Sequence, residues 1–382
     1  MKIIIVGMVN SIHLVRWVEH LFQYKKVEIV IFPVFAAQAH PRLLKMLNLG
    51  GQKSNISIAQ LLPWSKINFF LLKLINFLFK NFFLTCWLNF LIKIIKPEYI
   101  HSHELSTSSI LCLKARSSFK GKFPKWIVTN WGSDLYFFFK FKKFKNDLKK
   151  ILQLSNFYSA ECRRDYKIAK KIGIKAKLLD CVINSGGIPL QSAKKINKKQ
   201  ITSSRKIILI KGYHGLFGLA LNSIRAIQKI SQHLKDYTII IYSADKIVID
   251  YCNSISKELN LKFQIYSSNA NLTQKEMYTL FSKSRIYIGM SKSDGISTSL
   301  LESMALGAFP IQSNTSCANE WILNNKTGYI LPPQDIELIS KKILLAINND
   351  KLVNSAAKIN WKTIAKRADS NKIKKIIRGI YK

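Results

Sequence analysis

The sequence predicts an α/β protein with two doubly wound parallel-sheet domains, and three observations support that prediction. The chain has 382 residues, which is the length of two domains of ordinary size. Short runs of β-branched residues are each followed by a segment in which apolar residues have helical spacing, a pattern typical of β-α-β units. These runs form two series, separated by the polar, lysine-rich stretch 192–205.

The strands follow from the β-branched runs, taken in order. In the first series we predict strands at 3–6, 27–32, 98–101 and 126–129. In the second series we predict them at 207–210, 237–242, 263–266, 285–288, 309–312 and 328–331. We therefore expect domains over 1–186 and 187–358, and the last segment, 359–382, has the apolar spacing of a helix.

The charge balance is strongly basic. Sixty Lys and Arg residues against 21 Asp and Glu residues give a formal net charge of +39, which predicts attraction to anionic surfaces and nucleotides. Fifty of these basic residues are Lys and ten are Arg. Arg is the residue that recognises phosphates and base edges through paired hydrogen bonds, so we expect no specific binding of nucleic acid.

The cysteines indicate a reducing compartment. The six are Cys86, Cys112, Cys162, Cys181, Cys252 and Cys317. They are scattered and form no C-x-x-C pair, which predicts neither a zinc site nor a disulfide framework. The apolar run at 3–6 is too short for a secretory signal, and no small-residue cleavage site follows it. We therefore expect a cytoplasmic protein whose chain opens with a buried strand.

Two segments of the first half combine aromatic residues with lysines. The first, 64–96, is interrupted by lysines and has no apolar run near the 18 or so residues that span a bilayer. Its polar residues recur three and four apart, so it forms either core helices or a helix whose aromatic face lies in a membrane interface. The second, 136–145, is either a solvated helix start or a site attracted to an anionic leaflet.

The stretch 291–311 carries the clearest chemistry. It follows a predicted strand with a loop containing Asp294, a run of helix-capping residues at 297–299, and a helix that ends at Gly307. A helix N-terminus at the carboxyl edge of a parallel sheet favours phosphate, so we predict that Ser297, Thr298 and Ser299 bind a phosphate group of the ligand. Glu302, one turn further on, either accepts hydrogen bonds from ribose hydroxyls or is a solvated helix residue.

This motif resembles that of the retaining glycosyltransferases of GT-B fold, in particular glycosyltransferase family 4. Members of that family carry an acid, seven residues, a Glu and a short run ended by Gly, as Asp294, Glu302 and Gly307 do here. The resemblance implies the GT-B fold, with two Rossmann-like domains facing a cleft. It also implies that Glu302 binds the nucleotide ribose and that Asp294 is a catalytic residue beside the donor sugar. Asp294 is one methylene shorter than the Glu usual there.

The first half of the chain resembles the same family in order. Gly7, Asn10 and Ser11 lie in the loop after the first predicted strand, and the resemblance implies that this loop binds substrate. His103 matches the family's functional His, which contacts the donor sugar or its departing phosphate. Asp134 lies in a Gly-Ser-Asp turn, where it either contacts the ligand or only caps the turn.

The paired histidines have an alternative explanation as metal ligands. His101 and His103 are two residues apart in a strand and point to one face of it. Of the residues nearby, only Glu104 is available to complete a ligand set. We therefore expect no metal site.

The second domain departs from the family in its first loop. Family members place an Arg and a Lys there, which grip the donor diphosphate. Here the loop begins with Lys211 and Gly212, and Tyr213 and Phe217 stand at roughly those two places. We assign the diphosphate to Lys211 and Gly212, with His214 assisting when it is protonated.

The resemblance implies a retaining glycosyltransferase that transfers sugar from a UDP- or GDP-linked donor to a cell-surface glycan or lipid-linked acceptor. It implies no further cofactor. The aromatic, lysine-rich segments predict a peripheral protein on the inner face of the cytoplasmic membrane, as in polysaccharide or lipopolysaccharide biosynthesis.

Two other functions remain open, and so does the path of the last helix. A GT-B-fold sugar-nucleotide epimerase would need further acids and histidines, and an inactive GT-B-fold binding protein would explain the missing Arg and Lys. In the family, the last helix crosses back to the first domain, which we expect of 359–382. The alternative is a helix that caps the second domain.

Overall fold

The architecture consists of two α/β units. In a computed structural model, the residues described are 1–35, 37–48, 54–59, 71, 74, 82–197, 201–270 and 272–382. The first unit comprises Met1–Gly186 and Ile373–Lys382, and the second comprises Gly187–Lys372. Of the aromatic segment 64–96, residues 64–70, 72–73 and 75–81 lie outside the described residues.

Unit 1 is built on a parallel sheet of seven described strands. Their bounds are Lys2–Gly7 (β1), Glu28–Pro33 (β2), Ile56–Ile58 (β3), Tyr99–His103 (β4), Lys125–Asn130 (β5), Phe157–Ala160 (β6) and Lys177–Leu178 (β7). Their order across the sheet is β3-β2-β1-β4-β5-β6-β7, so the order reverses between β1 and β4. Open α/β sheets bind ligands at the carboxyl ends of the strands beside such a reversal.

The helices of unit 1 are found between these strands and at the end of the chain. Their bounds are Ile12–Leu21 (α1), Pro41–Leu47 (α2), Phe82–Ile95 (α3), Ile110–Ser118 (α4), Lys142–Leu154 (α5), Arg163–Ile172 (α6) and Ser370–Ile380 (α14). Helices α3, α4 and α5 pack side by side, and one apolar core joins them to β1, β4 and β5.

The end of the chain is anchored in unit 1 by buried polar side chains. The indole of Trp17 donates to the hydroxyl of Tyr381 over 3.1 Å, and that hydroxyl lies 2.5 Å from Nδ1 of His101. Arg378 donates to the backbone oxygen of His20 over 2.8 Å. The segment 359–382 thus contains the end of one helix and all of α14, and it joins unit 1 from Ile373 onward.

Unit 2 is built on a second parallel sheet, of six described strands. Their bounds are Ile207–Lys211 (β8), Thr238–Ala244 (β9), Lys262–Ser267 (β10), Ile286–Gly289 (β11), Phe309–Ser313 (β12) and Tyr329–Leu331 (β13). The order is β10-β9-β8-β11-β12-β13, so the reversal falls between β8 and β11. Loops after these two strands are therefore the expected ligand edge of unit 2.

The helices of unit 2 complete a doubly wound fold. Their bounds are Leu190–Ile196 (α7), Ala220–Lys229 (α8), Lys246–Leu259 (α9), Gln274–Lys283 (α10), Thr298–Ala305 (α11), Ile336–Ile347 (α12) and Asp350–Arg367 (α13). The predicted α/β class with two parallel sheets is confirmed. All ten predicted strands are present, and their ends differ by at most about two residues, the usual uncertainty of such boundaries.

The stretch 192–205, predicted as a polar connection, is instead partly folded into unit 2. Its start lies in α7, and Arg205 near its end is buried. The Arg205 guanidinium donates to the carbonyls of Ser284 (3.2 Å) and Leu306 (2.9 Å). A long side chain that satisfies backbone carbonyls leaves no apolar periodicity in the sequence.

Helix α3 buries one apolar stripe and exposes other apolar side chains. Leu84, Leu88 and Ile92 form its buried stripe, whereas Phe82 and Phe90 are 67% and 51% exposed and Ile94 is 61% exposed. The described part of this segment therefore packs on the core through one face and leaves apolar side chains exposed on the other. Among the described helices, none has both the length and the apolar character needed to cross a bilayer.

The segment 136–145 leads into α5 with its rings close to lysine ammonium groups. Lys140 lies 4.7 Å from the centre of the Tyr136 ring, and Lys145 lies 5.6 Å from the Phe139 ring. Phe139 packs against the apolar core, whereas Phe141 is exposed. The segment is therefore a helix start whose aromatic residues are shared between the core and the surface.

Candidate active site

The strand-order reversal of unit 1 brings Gly7 and His103 together. A Cβ at Gly7 would lie 3.1 Å from a methyl of Leu14 and 3.6 Å from Cβ of His103, so glycine allows the close approach. In the loop that follows, Asn10 is exposed. Ser11 caps α1 by accepting the backbone N–H of His13 over 3.3 Å.

His103 is buried at the end of β4. It is 1% exposed, and its ring lies 4.9 Å from that of Trp17. Burial lowers the pKa of His103 to about 3, so the imidazole is neutral at physiological pH. Among the described residues, neither ring nitrogen has a hydrogen-bond partner. A neutral ring of this kind offers one donor and one acceptor but cannot neutralise a departing phosphate.

His101, the other member of the possible metal pair, has both ring nitrogens engaged. Nδ1 lies 2.5 Å from the Tyr381 hydroxyl and Nε2 lies 2.6 Å from Thr129 Oγ1. The two histidine rings do share a face of β4, with their centres 4.3 Å apart. Because hydroxyls occupy its nitrogens, His101 acts as a structural link between β4, β5 and the chain end.

Glu104 is a residue whose importance the sequence did not reveal. It has a positive φ of 72°, and its carboxylate accepts the backbone N–H groups of Ser106 and Thr107, each over 2.7 Å, and that of Ser108. These bonds cap a π-helical turn, Leu105–Ser109, between β4 and α4. The sequence carried no specific signal for this role, since the hydroxyl residues 106–109, which begin two positions after Glu104, favour local turns in general.

Asp134 ties together the loops after β4 and β5. Its Oδ2 accepts the backbone N–H groups of Leu105 (2.8 Å) and Trp131 (2.7 Å), and the side chain is buried. Burial, and then the nearby carboxylate of Glu104, raise the pKa of Asp134 well above its usual value. Asp134 was predicted either to contact the ligand or to cap the turn, and these hydrogen bonds are those of a turn cap.

The strand-order reversal of unit 2 brings two loops into direct contact. Gly218, in the loop after β8, pairs with Ser291 in the loop after β11. The backbone N–H of Lys292 donates to the carbonyl of Phe217 over 2.6 Å. A Cβ at Gly212 would lie 2.6 Å from Cα of Ala244, so only glycine fits where the first loop leaves β8.

Lys211 and Asp294 meet at this edge. The Lys211 ammonium lies 3.9 Å from a carboxylate oxygen of Asp294 and 5.1 Å from the centre of the Tyr213 ring. Burial lowers the pKa of Lys211, but the charges of Asp294 and, more weakly, of Tyr287, Tyr213 and Glu302 outweigh it, so the net shift is upward. Lys211 is therefore a stable cation where the sequence predicted a phosphate ligand.

Glu302 is buried at the same carboxyl edge of the sheet in unit 2. It is 6% exposed on α11, close enough to Lys211 to influence its pKa. Ser297 occupies the helix N-cap position but, among the described residues, its hydroxyl makes no capping bond. Thr298 and Ser299 form the first turn. The alternative of a solvated Glu302 is therefore wrong, because the helix turns this face toward the sheet.

His214 was expected to assist Lys211 when it is protonated. Its backbone N–H donates to Asp245 over 2.8 Å, and burial followed by the nearby charges of Lys292 and Arg225 lowers the pKa of its ring. The protonated form of His214 is therefore less favourable here than that of an ordinary histidine.

The structure thus divides the predicted site residues into two groups. In unit 2 it brings Lys211, Gly212, Asp294 and Glu302 to one edge, with residues 297–299 at the adjoining helix start. In unit 1 it brings Gly7 beside His103, while Asn10 and Ser11 lie at the start of α1 and Asp134 serves the neighbouring loops.

Solved structures with the same architecture are numerous, and three illustrate the likeness. A glycosyltransferase from Rickettsia africae is 18% identical, with a TM-score of 0.69 over 100% of this chain and 97% of that chain. HepE from Anabaena, solved with UDP-glucose, is 12% identical, with a TM-score of 0.69 over 100% and 99% of the two chains. Sucrose-phosphate synthase from Thermosynechococcus elongatus is 13% identical, with a TM-score of 0.71 over 100% and 98%.

These likenesses, at such low identity, establish the fold: two parallel-sheet units of this kind define a protein of GT-B fold. Within that class the chain belongs to the group 1 glycosyltransferases. Residues 192–362 match the family model for glycosyl transferases group 1, and residues 47–162 match that for glycosyl transferase 4-like proteins. A search among curated proteins finds no match.

Proposed function

We propose that this glycosyltransferase binds a nucleotide-sugar donor at the carboxyl edge of unit 2 and transfers its sugar with retention of configuration. The observation that carries the proposal is the burial of Glu302 beside Lys211 at the strand-order reversal. A buried carboxylate next to a cation is a suitable acceptor for the vicinal hydroxyls of a ribose.

Each polar group at this edge has a proposed role. Glu302 accepts hydrogen bonds from the ribose, and Lys211 offsets the charge of the diphosphate. The amides of the first turn of α11 add the partial positive charge of a helix N-terminus. Asp294, 3.9 Å from Lys211, accepts hydrogen bonds from the donor sugar. In the reaction the bond between the anomeric carbon and the phosphate oxygen breaks, and the acceptor oxygen forms a bond to that carbon on the same face. The proton of the acceptor hydroxyl passes to the departing phosphate.

The residues of unit 1 have supporting roles in this proposal. His103 donates or accepts a hydrogen bond with a sugar hydroxyl, because its neutral ring has both capacities unused among the described residues. Gly7, Asn10 and Ser11 form a substrate loop. Asp134 is a positioning residue, because its carboxylate holds backbone groups rather than facing solvent.

The donor base is proposed from the neighbours. HepE is solved with UDP-glucose, and a pneumococcal O-GlcNAc transferase, 13% identical over 77% of this chain, is solved with UDP and GlcNAc. A UDP-linked sugar is therefore the first candidate donor, and a GDP-linked sugar is the second. The proposed acceptor is a cell-surface glycan or a lipid-linked sugar, as in lipopolysaccharide assembly.

We also propose that helices α3 to α5 hold the enzyme against the anionic inner face of the cytoplasmic membrane. The exposed side chains of Phe82, Phe90 and Ile94 would enter the interface. The segments 82–96, 110–125 and 136–154 contain two, five and six basic residues and one acid, Asp147. Because lysines beside an anionic leaflet contribute about 1 kcal/mol each, this surface is complementary to lipid headgroups.

The experiment that tests the donor site compares Glu302→Gln with the wild type. We would measure release of nucleoside diphosphate from UDP- and GDP-linked sugars in the presence of bacterial lipid extract. We expect kcat/KM to fall about 100-fold, because a charged hydrogen-bond acceptor for the ribose is lost.

The matched control is Glu337→Gln, since Glu337 is an exposed carboxylate of unit 2 paired with Lys229. Equal loss in both variants, or no loss in Glu302→Gln, would remove Glu302 from the site. If the wild type interconverts donor sugars without transferring them, the result favours a sugar-nucleotide epimerase. If it turns over no donor, the result favours an inactive binding protein.

A further inference from the structure

The loop that faces the proposed diphosphate contains no cation of its own. Residues 212–219 read Gly-Tyr-His-Gly-Leu-Phe-Gly-Leu. A nucleoside diphosphate carries at least two negative charges into a site that already holds the carboxylates of Asp294 and Glu302. Lys211 alone does not balance them, because Asp294 lies 3.9 Å from its ammonium. A second cation would offset the charge that remains.

Two other basic groups of unit 2 contact other side chains. The ammonium of Lys246 is bound to both carboxylate oxygens of Asp250, over 3.1 and 2.9 Å, and its side chain is 87% exposed. The guanidinium of Arg225 lies over the ring of Tyr251, 5.9 Å from its centre.

Lys292 is exposed, and two hydrogen bonds hold it against the loop after β8. Its ammonium donates to the carbonyl of Gly215 over 2.7 Å, and its backbone N–H donates to Phe217. An ammonium has three N–H groups, and one bond is made here among the described residues, so two N–H groups remain for a ligand. The preceding residue, Ser291, pairs with Gly218, which fixes this second loop against the first.

We infer that Lys292 is the second cation that binds the donor diphosphate, reaching the site from the loop after β11 rather than from the loop after β8. Lys211 then binds from the inner side of the loop and Lys292 from its exposed tip. The inference rests on the proposed nucleotide-sugar donor and adds a binding residue to it. Lys292 also braces the otherwise uncharged loop through Gly215.

The test is isothermal titration of the full chain with UDP, GDP, ADP and CDP, and with the four corresponding nucleosides, at low and high ionic strength. For the diphosphate that the wild type binds, we expect Lys292→Ala and Lys292→Gln to raise Kd about tenfold at low salt. Lys292→Arg keeps the charge and should stay within about threefold. Binding of the nucleoside should not change, since it carries no phosphate.

The controls separate charge from loop structure. Lys246→Ala removes a cation of the same unit that is paired with Asp250, and it should leave Kd unchanged. Lys292→Gln keeps a hydrogen-bond donor for Gly215 but removes the charge. If the role of Lys292 were purely structural, this variant would bind the diphosphate as the wild type does. The salt dependence of binding should also become shallower in Lys292→Ala.

The outcomes distinguish this inference from the function on which it rests. If Lys292→Ala and Lys292→Gln both bind the diphosphate with a Kd within about twofold of the wild type, Lys292 is not a binding residue. That result would leave the proposed donor site unchanged. A wild type that binds none of the four diphosphates would overturn both. An equal weakening of nucleoside and diphosphate would reduce Lys292 to a brace for the loop and would also overturn the inference.

Discussion

Burial decides which ionisable side chains at the two strand edges keep their charge. His103 is neutral because burial lowers its pKa to about 3. Lys211 stays cationic because the nearby carboxylate of Asp294 outweighs its burial. The edge in unit 1 therefore holds a neutral imidazole, and the edge in unit 2 holds a charged ammonium.

The raised pKa of Asp134 makes the stability of unit 1 depend on pH. Its folded-state pKa lies above the unfolded value of about 3.9. The folded chain thus binds this proton more tightly, so the contribution is fully present below about pH 4 and is lost as pH rises toward the folded pKa. We expect Asp134→Asn to gain stability relative to the wild type between pH 5 and pH 8.

Urea unfolding followed by tryptophan fluorescence at these two pH values measures the difference. Asp134→Ala is the companion variant: it loses the bonds to Leu105 and Trp131 and should cost about 1–3 kcal/mol at either pH. Parallel pH dependence in Asp134→Asn and the wild type would contradict the burial of a titrating carboxyl.

Among the elements, helix α3 has exposed apolar side chains, and we propose that these enter the membrane interface. We expect the double variant Phe90→Ser, Ile94→Ser to lose binding to phosphatidylcholine vesicles that contain phosphatidylglycerol, by more than about tenfold, because two large apolar side chains no longer enter the interface. Co-sedimentation measures the bound fraction. Leu323→Ser, which removes an exposed leucine from unit 2, is the matched control.

Charge should matter as much as the apolar face in this binding. Vesicles of pure phosphatidylcholine, or high salt, should release the wild type because the lysines of α5 lose their attraction. Wild-type binding that is indifferent to the lipid charge, or a double variant that binds as the wild type does, would rule out this surface as the docking site.

Elements with a strong local signal could be predicted, and the others could not. The Ile-rich strands could be predicted because β-branched residues favour strands, and they do form strands here. The end of α11 could be predicted because Gly307, which has a φ of 79°, is a residue that ends helices. Strands β3, β6 and β7, of three, four and two residues, were missed, although β11 and β13, of four and three residues, were predicted. Such short strands are set by their neighbours in the sheet.

Candidate site residues could be predicted from the sequence where they belong to a motif. They could not be predicted where contacts between distant loops place them. Asp294 and Glu302 stood out by their spacing, and Lys211 by its place after a strand. Nothing in the sequence predicted that Glu104 would cap a π-helical turn or that Lys292 would reach Gly215, because both depend on how loops from different strands meet.

The whole molecule contains two strand-order reversals, and we propose that the nucleotide binds at the one in unit 2. The nucleoside diphosphate would bind where Lys211, Asp294 and Glu302 meet. The most direct measurement is a thermal-shift series with UDP, GDP, ADP, CMP and their sugar conjugates, on the wild type and on Lys211→Ala.

We expect one nucleotide to raise the Tm of the wild type by several degrees, since a ligand at a hundred times its Kd stabilises by about 2.7 kcal/mol. Lys211→Ala should lose most of that shift. No shift with any nucleotide at millimolar concentration, or an equal shift in Lys211→Ala, would contradict the donor site in unit 2.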